Sequence, residues 1–147
     1  MNAKTKLITL LIAASSLVFV SCSDDDDDNH KSFVTEAIYN AFHNLYPQIQ
    51  PYDWEIEGAY VKADFYNGTA HAEAWFTPEG EWVRTETDFY GQLPEPVTAY
   101  LQQNYPTHAV DEVDWVETPT QNYYEIELEQ QGAPDLKVNV TPEGVAV

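Results

Sequence analysis

The chain of 147 residues carries 25 acidic residues against 6 Lys and Arg, a formal net charge of −19 at pH 7, and a single cysteine. That balance excludes nucleic acid and anionic lipid surfaces as partners, because both demand clustered cations to displace counterions. One cysteine excludes an internal disulfide, so stability must come from an apolar core.

The N-terminus has the pattern of an export signal. Lys4 and Lys6 precede an apolar run from Leu7 to Val20, which is short for a membrane span and of the right length for a signal-peptide core. Ser15, Ser16 and Ser21 supply small residues near its end, and Cys22 follows directly. The arrangement resembles the lipobox of bacterial lipoproteins, although Phe19 stands where leucine is usual. The resemblance implies that residues 1–21 are removed and that Cys22 is lipidated as the first mature residue. Ser23 and the five aspartates 24–28 look like the acidic tag that sends some lipoproteins to the outer face of the outer membrane, with a periplasm-facing placement as the alternative. Adjacent carboxylates repel one another, so residues 22–32 read as a linker. Without the signal, four cations (Lys31, Lys62, Arg84, Lys137) face all 25 acids, a net charge of −21.

The remaining residues, 33–147, contain an internal duplication. Tyr46-Pro47 recurs as Tyr105-Pro106, Asp53-Trp54 as Asp114-Trp115, and Thr77-Pro78-Glu79-Gly80 as Thr141-Pro142-Glu143-Gly144. The offsets, 59, 61 and 64, drift slowly, as small loop insertions would cause. Repeat one is assigned to 33–90 and repeat two to 91–147.

Each repeat opens on a helical pattern. Ser32 is the expected N-cap of the first, whose stripe is Phe33, Ala37, Ile38, Ala41, Phe42 and Leu45, with Pro47 as stop. Pro94 and Pro96 suit the first turn of the second, Val97, Tyr100, Leu101 and Tyr105 form its apolar face, and Pro106 ends it. The period then falls to two, the mark of strands with one buried face. Val61, Ala63 and Phe65 alternate with Tyr60, Lys62, Asp64 and Tyr66; Asn67-Gly68 predicts a tight hairpin; Ala72, Ala74 and Phe76 alternate with His71, Glu73 and Trp75. After the Thr77–Gly80 turn, Val83 is expected inward and Trp82 outward. In repeat two, Tyr124, Ile126 and Leu128 face inward against Tyr123, Glu125 and Glu127, followed by Leu136, Val138 and Val140. The fold class is therefore α+β: two tandem α-β-β-β repeats forming an antiparallel sheet with helices on one face, with room for a short strand at Trp54 or Trp115.

A sheet covered on one side leaves the other in water. The pattern puts Tyr60, Tyr66, His71, Trp75, Trp82 and Arg84 there, with Tyr123 from repeat two, and a symmetric turn would set Trp75 opposite Trp82. Clustered Trp, Tyr and Arg are the residue types of binding anchors. Catalysis lacks an inventory: Ser23 and Ser32 are the only serines after the signal, Cys22 is committed to the anchor, and His30, His43, His71 and His108 have no zinc-ligand spacing. The only cofactor to consider is Ca²⁺, through Asp111, Glu112 and Asp114 in the expected loop after the second helix.

A family resemblance accompanies these patterns. The helix ending in Tyr46-Pro47, the strand Ala72-Glu73-Ala74-Trp75-Phe76, the Gly80-Glu81-Trp82 turn, Leu93-Pro94, and Tyr123-Tyr124-Glu125-Ile126-Glu127-Leu128 resemble the PepSY-like family, described as similar to beta-lactamase-inhibitor proteins. The resemblance covers about residues 33 to 147. It implies a secreted or anchored protein of two tandem α/β modules and, from the fold's inhibitor members, an aromatic sheet face offered to a protein or peptide partner, with Trp75, Trp82, Tyr60 and Tyr123 as contacts. The expectation is a non-catalytic envelope protein, a peptidase or hydrolase inhibitor or regulator, touching the membrane only through its lipid; a calcium-responsive envelope protein is the alternative.

Overall fold

The structure, a computed structural model, describes residues 31–147; the expected signal segment, Cys22 and the acidic run lie outside the described residues. The elements in chain order are α1 (Glu36–Leu45), β1 (Asp53–Glu57), β2 (Tyr60–Asn67), β3 (Ala70–Phe76), β4 (Trp82–Asp88), α2 (Glu95–Asn104), β5 (Ala109–Glu117), β6 (Asn122–Glu129) and β7 (Leu136–Val140). The seven strands form one antiparallel sheet in chain order, β1 to β7. The strands allowed for at Trp54 and Trp115 are both present, as the five-residue β1 and the nine-residue β5, so four strands follow α1 and three follow α2.

Both helices form where the apolar stripe is, with a shift at the first start. Thr35, not Ser32, caps α1: its Oγ1 accepts from the Ile38 N–H at 3.3 Å. Pro94 sits at the cap of α2, where a missing N–H costs nothing. Each helix covers its own half of one sheet face. Ile38 and Phe42 pack on Trp54, Val61, Ala63, Phe65, Ala72, Ala74 and Phe76. Val97 and Leu101 pack on Tyr124, Ile126, Leu128 and Val140.

The duplication reaches atomic detail at the two Thr-Pro-Glu-Gly turns. Each closes with the glycine N–H donating to the threonine carbonyl at 2.9 Å. Each glycine also lies against the first turn of its helix with positive φ: a Cβ on Gly80 would fall 2.8 Å from the Ala37 carbonyl, and one on Gly144 2.5 Å from that of Pro96. Ala37 and Pro96 are themselves 59 residues apart, the offset of the helices. The helix start rests on the turn, and only glycine permits that approach. The β2–β3 hairpin differs from expectation in one detail. Asn67 pairs with Ala70, so the loop residues are Gly68 and Thr69, and positive φ is confined to Gly68.

Candidate functional site

Strand alternation sends every second side chain to the face that neither helix covers. Reading the registers across the strands gives two rows on that face. One runs Glu55, Lys62, Trp75, Arg84; the next runs Asp53, Asp64, Glu73, Glu86, Val116, Tyr123. Tyr60 lies beyond the first row, beside Glu57. Four of the five predicted contact residues, Tyr60, Trp75, Arg84 and Tyr123, therefore share this face.

Trp82 does not. Between Trp75 and Phe76 the β3–β4 register slips by a residue, pairing Trp75 with Arg84 and Phe76 with Trp82. A bulge adds one residue to a ladder, and one residue reverses the faces of everything beyond it. Trp82, expected outward, instead packs on the α1 core, and Val83, expected inward, has no partner in that ladder. The Trp82 indole N–H donates to Thr85 Oγ1 at 3.0 Å, and the Tyr46 hydroxyl donates to the same oxygen at 2.9 Å.

Trp75 faces outward but is not open to water, being only 3% exposed. Its cross-strand neighbours roof it, with the Arg84 guanidinium carbon 4.1 Å and the Lys62 Nζ 5.9 Å from a ring centroid. Such cation–π contacts strengthen as they lose water. Carboxylates fix the roof: Arg84 Nη1 lies 2.9 Å from Glu86, and Lys62 Nζ lies 2.8 Å from Glu55 and donates to Glu73. Burial works against the charged form of Lys62, but its hydrogen bonds to Glu55 and Glu73 prevail and raise its pKa.

Beside this stack the face is acidic. His71, Glu73, Glu86, Asp88, Glu112 and Asp114 line a hollow of about 230 Å³. Burial is the main reason that Glu86 is pushed up to about 7, with Arg84 opposing and Glu125, Asp114 and Glu73 adding to the rise. Burial, then Glu112 and Asp88, takes Asp114 up to about 6. Asp64 also rises to about 6, through burial and its contact with Glu73.

The predicted calcium ligands are divided. Asp111, Glu112 and Asp114 lie within strand β5, not in a loop, and the register slips between Val110 and Glu112, leaving Asp111 unpaired in the ladder. Glu112 and Asp114 converge instead with Asp88 of β4, with one ligand atom from each within 4.8 Å of the others. Sequence reasoning set His71 and Glu73 on the outward parity but did not join them to Glu86 and Asp88. Their two-residue alternation along β3 and β4 was a usable signal for all four.

The comparisons with known proteins agree with this architecture. A family model described as "Putative beta-lactamase-inhibitor-like, PepSY-like" matches residues 59–146. Among solved structures, a BLIP-like protein from Bacteroides fragilis is 27% identical with a TM-score of 0.69, over 83% of this chain and 89% of that one. A DUF2874 family protein from Bacteroides ovatus is 27% identical with a TM-score of 0.68, over 76% and 83%. A protein from Bacteroides eggerthii described as one of the "putative periplasmic proteins" is 25% identical with a TM-score of 0.69, over 77% and 85%. No curated protein matches the chain. No helix among the described residues is long and apolar enough to cross a membrane. With more than half of its length matched by the family model, and with the sheet and paired helices that the solved structures share, the chain belongs to the PepSY-like, beta-lactamase-inhibitor-like family.

Proposed function

We propose that the protein is a non-catalytic envelope protein, anchored through a lipidated Cys22, that holds a protein or peptide partner on the helix-free face of its sheet and so inhibits or regulates a hydrolase or peptidase. The observation that carries this reading is the Lys62–Trp75–Arg84 stack with Tyr60 and Tyr123 around it, a group of aromatic and guanidinium side chains placed on one uncovered surface. Such residues dominate the energetics of protein interfaces. Likeness to a BLIP-like protein supports a protein partner. The lipobox-like segment and the aspartate run support display on the outer face, and a periplasmic orientation is the alternative.

The test is capture from envelope extract by wild type and by a Tyr60→Ser, Arg84→Ser, Tyr123→Ser variant whose circular dichroism matches wild type and which stays fully folded at the capture temperature. A partner held by wild type and lost by the variant supports the face as the interface. Equal capture by both refutes it. Palmitate labelling that survives Cys22→Ala refutes the anchor.

A calcium-responsive protein is the second reading, favoured by the convergence of Asp88, Glu112 and Asp114. A Ca²⁺-dependent rise in melting temperature that disappears in Glu112→Gln, Asp114→Asn would support it.

A further inference from the structure

On the β2–β3 side of the helix-free face, Asp64 pairs with Glu73 and Tyr66 with His71. His71 and Glu73 are two residues apart on one strand and project the same way. Asp64, His71 and Glu73 each offer a ligand atom, and these atoms lie within 4.8 Å of one another.

Asp64 is the member that points to a missing occupant. The residue is only 7% exposed, and its Oδ2 is buried without a hydrogen-bond partner among the described residues. Its Oδ1 is 3.7 Å from His71 Nε2 and 3.6 Å from Lys62 Nζ, both beyond ordinary hydrogen-bond length. A desolvated carboxylate left in this state is costly. Lys62 relieves it only in part, because the same ammonium is held more closely by Glu55 and Glu73 and is shared with Glu57 as well. One cation stands among four acids.

The spacing suits a metal better than a hydrogen bond. Two ligand atoms on a tetrahedral ion, each bonded at about 2.1 Å, stand roughly 3.4 Å apart, and 3.7 Å between His71 Nε2 and Asp64 Oδ1 needs little adjustment. On the other side of the ring, Nδ1 lies 3.8 Å from Asp88 Oδ1, so that a small rotation would bring in the hydrogen bond by which carboxylates orient a metal-bound imidazole. A nitrogen with two carboxylates favours zinc-type ions over Ca²⁺, which prefers oxygen alone. The hollow lined by His71 and Glu73 gives access.

We propose that Asp64, His71 and Glu73 bind a divalent transition-metal ion of the zinc type, with Asp88 positioning the imidazole. The site shares Asp88 with the neighbouring carboxylate group, takes no ligand from Glu112 or Asp114, and does not depend on the partner-binding reading.

Calorimetric titration of the full chain with Zn²⁺, and separately with Ca²⁺, tests it. The expected result is one Zn²⁺ per chain, with affinity reduced at least ~100-fold in His71→Ala and in Asp64→Asn and about 10-fold in Asp88→Asn, the lower end of what losing an orienting partner costs. Glu112→Gln, Asp114→Asn should leave Zn²⁺ affinity unchanged, and Ca²⁺ should not compete. The His71 side chain is 33% exposed, so its removal should leave the fold intact, which circular dichroism checks. Absence of Zn²⁺ binding, Zn²⁺ binding indifferent to His71→Ala, or equal competition by Ca²⁺ would each overturn the proposal.

Discussion

Replacing Glu86 with Gln should stabilise the protein at pH 8 and weaken its response to acid. Glu86 stands in β4 directly opposite Glu73 on one side and Val116 on the other, with its side chain only 16% exposed. Burial first, with Glu125, Asp114 and Glu73 adding and Arg84 opposing, moves its carboxyl from 4.5 to about 7. The folded state therefore holds this proton at a pH where the unfolded chain has released it. Stability then falls as pH rises from about 4.5 to about 7, and the loss is complete above that range. At 1.36 kcal/mol per pH unit the ceiling is about 3 kcal/mol. Partial access to water and the sacrificed ion pair to Arg84, 2.9 Å away, reduce the expected gain to ~1–2 kcal/mol. Asp64 and Asp114, both raised to about 6, act with the same sign in the same direction. Urea unfolding followed by tryptophan fluorescence at pH 5, 6, 7 and 8 should show wild type most stable at pH 5, with a shallower slope for Glu86→Gln. A variant less stable than wild type at pH 8 would refute the reasoning, because the Arg84 pair would then outweigh the burial of charge.

Thr85→Val removes the oxygen that accepts from both Tyr46 and Trp82 while keeping its shape, and should cost ~1–3 kcal/mol in chemical denaturation, whereas Thr85→Ser should cost less than ~1 kcal/mol. Gly144→Ala meets the Pro96 carbonyl at 2.5 Å with φ at +80°, and should lower stability by ~2 kcal/mol or more. Gly68→Ala, with positive φ but open space around it, should cost about 1 kcal/mol; equal melting temperatures for the two variants would contradict the turn–helix contact. Arg84→Gln opens the roof over Trp75 and should red-shift the fluorescence and raise iodide quenching, at a stability cost of ~0.5–2 kcal/mol. Unchanged quenching would mean that Arg84 does not shield the ring.

Local chemistry made much of the fold legible. Period-four apolar stripes ending at Tyr46-Pro47 and Tyr105-Pro106 marked both helices, and alternation in Val61–Phe65, Ala72–Phe76 and Tyr124–Leu128 marked their strands, because an amphipathic element must repeat its buried face at its own period. The recurring Thr-Pro-Glu-Gly turns announced two similar units before any contact between turn and helix was visible. The site was less legible. Alternation placed Tyr60, Trp75, Arg84 and Tyr123 on the uncovered face correctly, but a parity argument holds only while the ladder is regular. One bulge beyond Trp75 moved Trp82 to the opposite side.

What the sequence determined alone was whatever depends on neighbours along the chain: helix and strand periods, the excess of acid and the recurring Thr-Pro-Glu-Gly turns. The tertiary structure decided whatever depends on neighbours across strands. It paired Arg84 and Lys62 with Trp75, so that an aromatic ring expected to be bare is covered. It joined Asp88 to Glu112 and Asp114, and Asp64 to His71 and Glu73. Residues far apart in the chain meet only when the register is set, and register is a property of the whole folded sheet, through its turns, bulges and buried face.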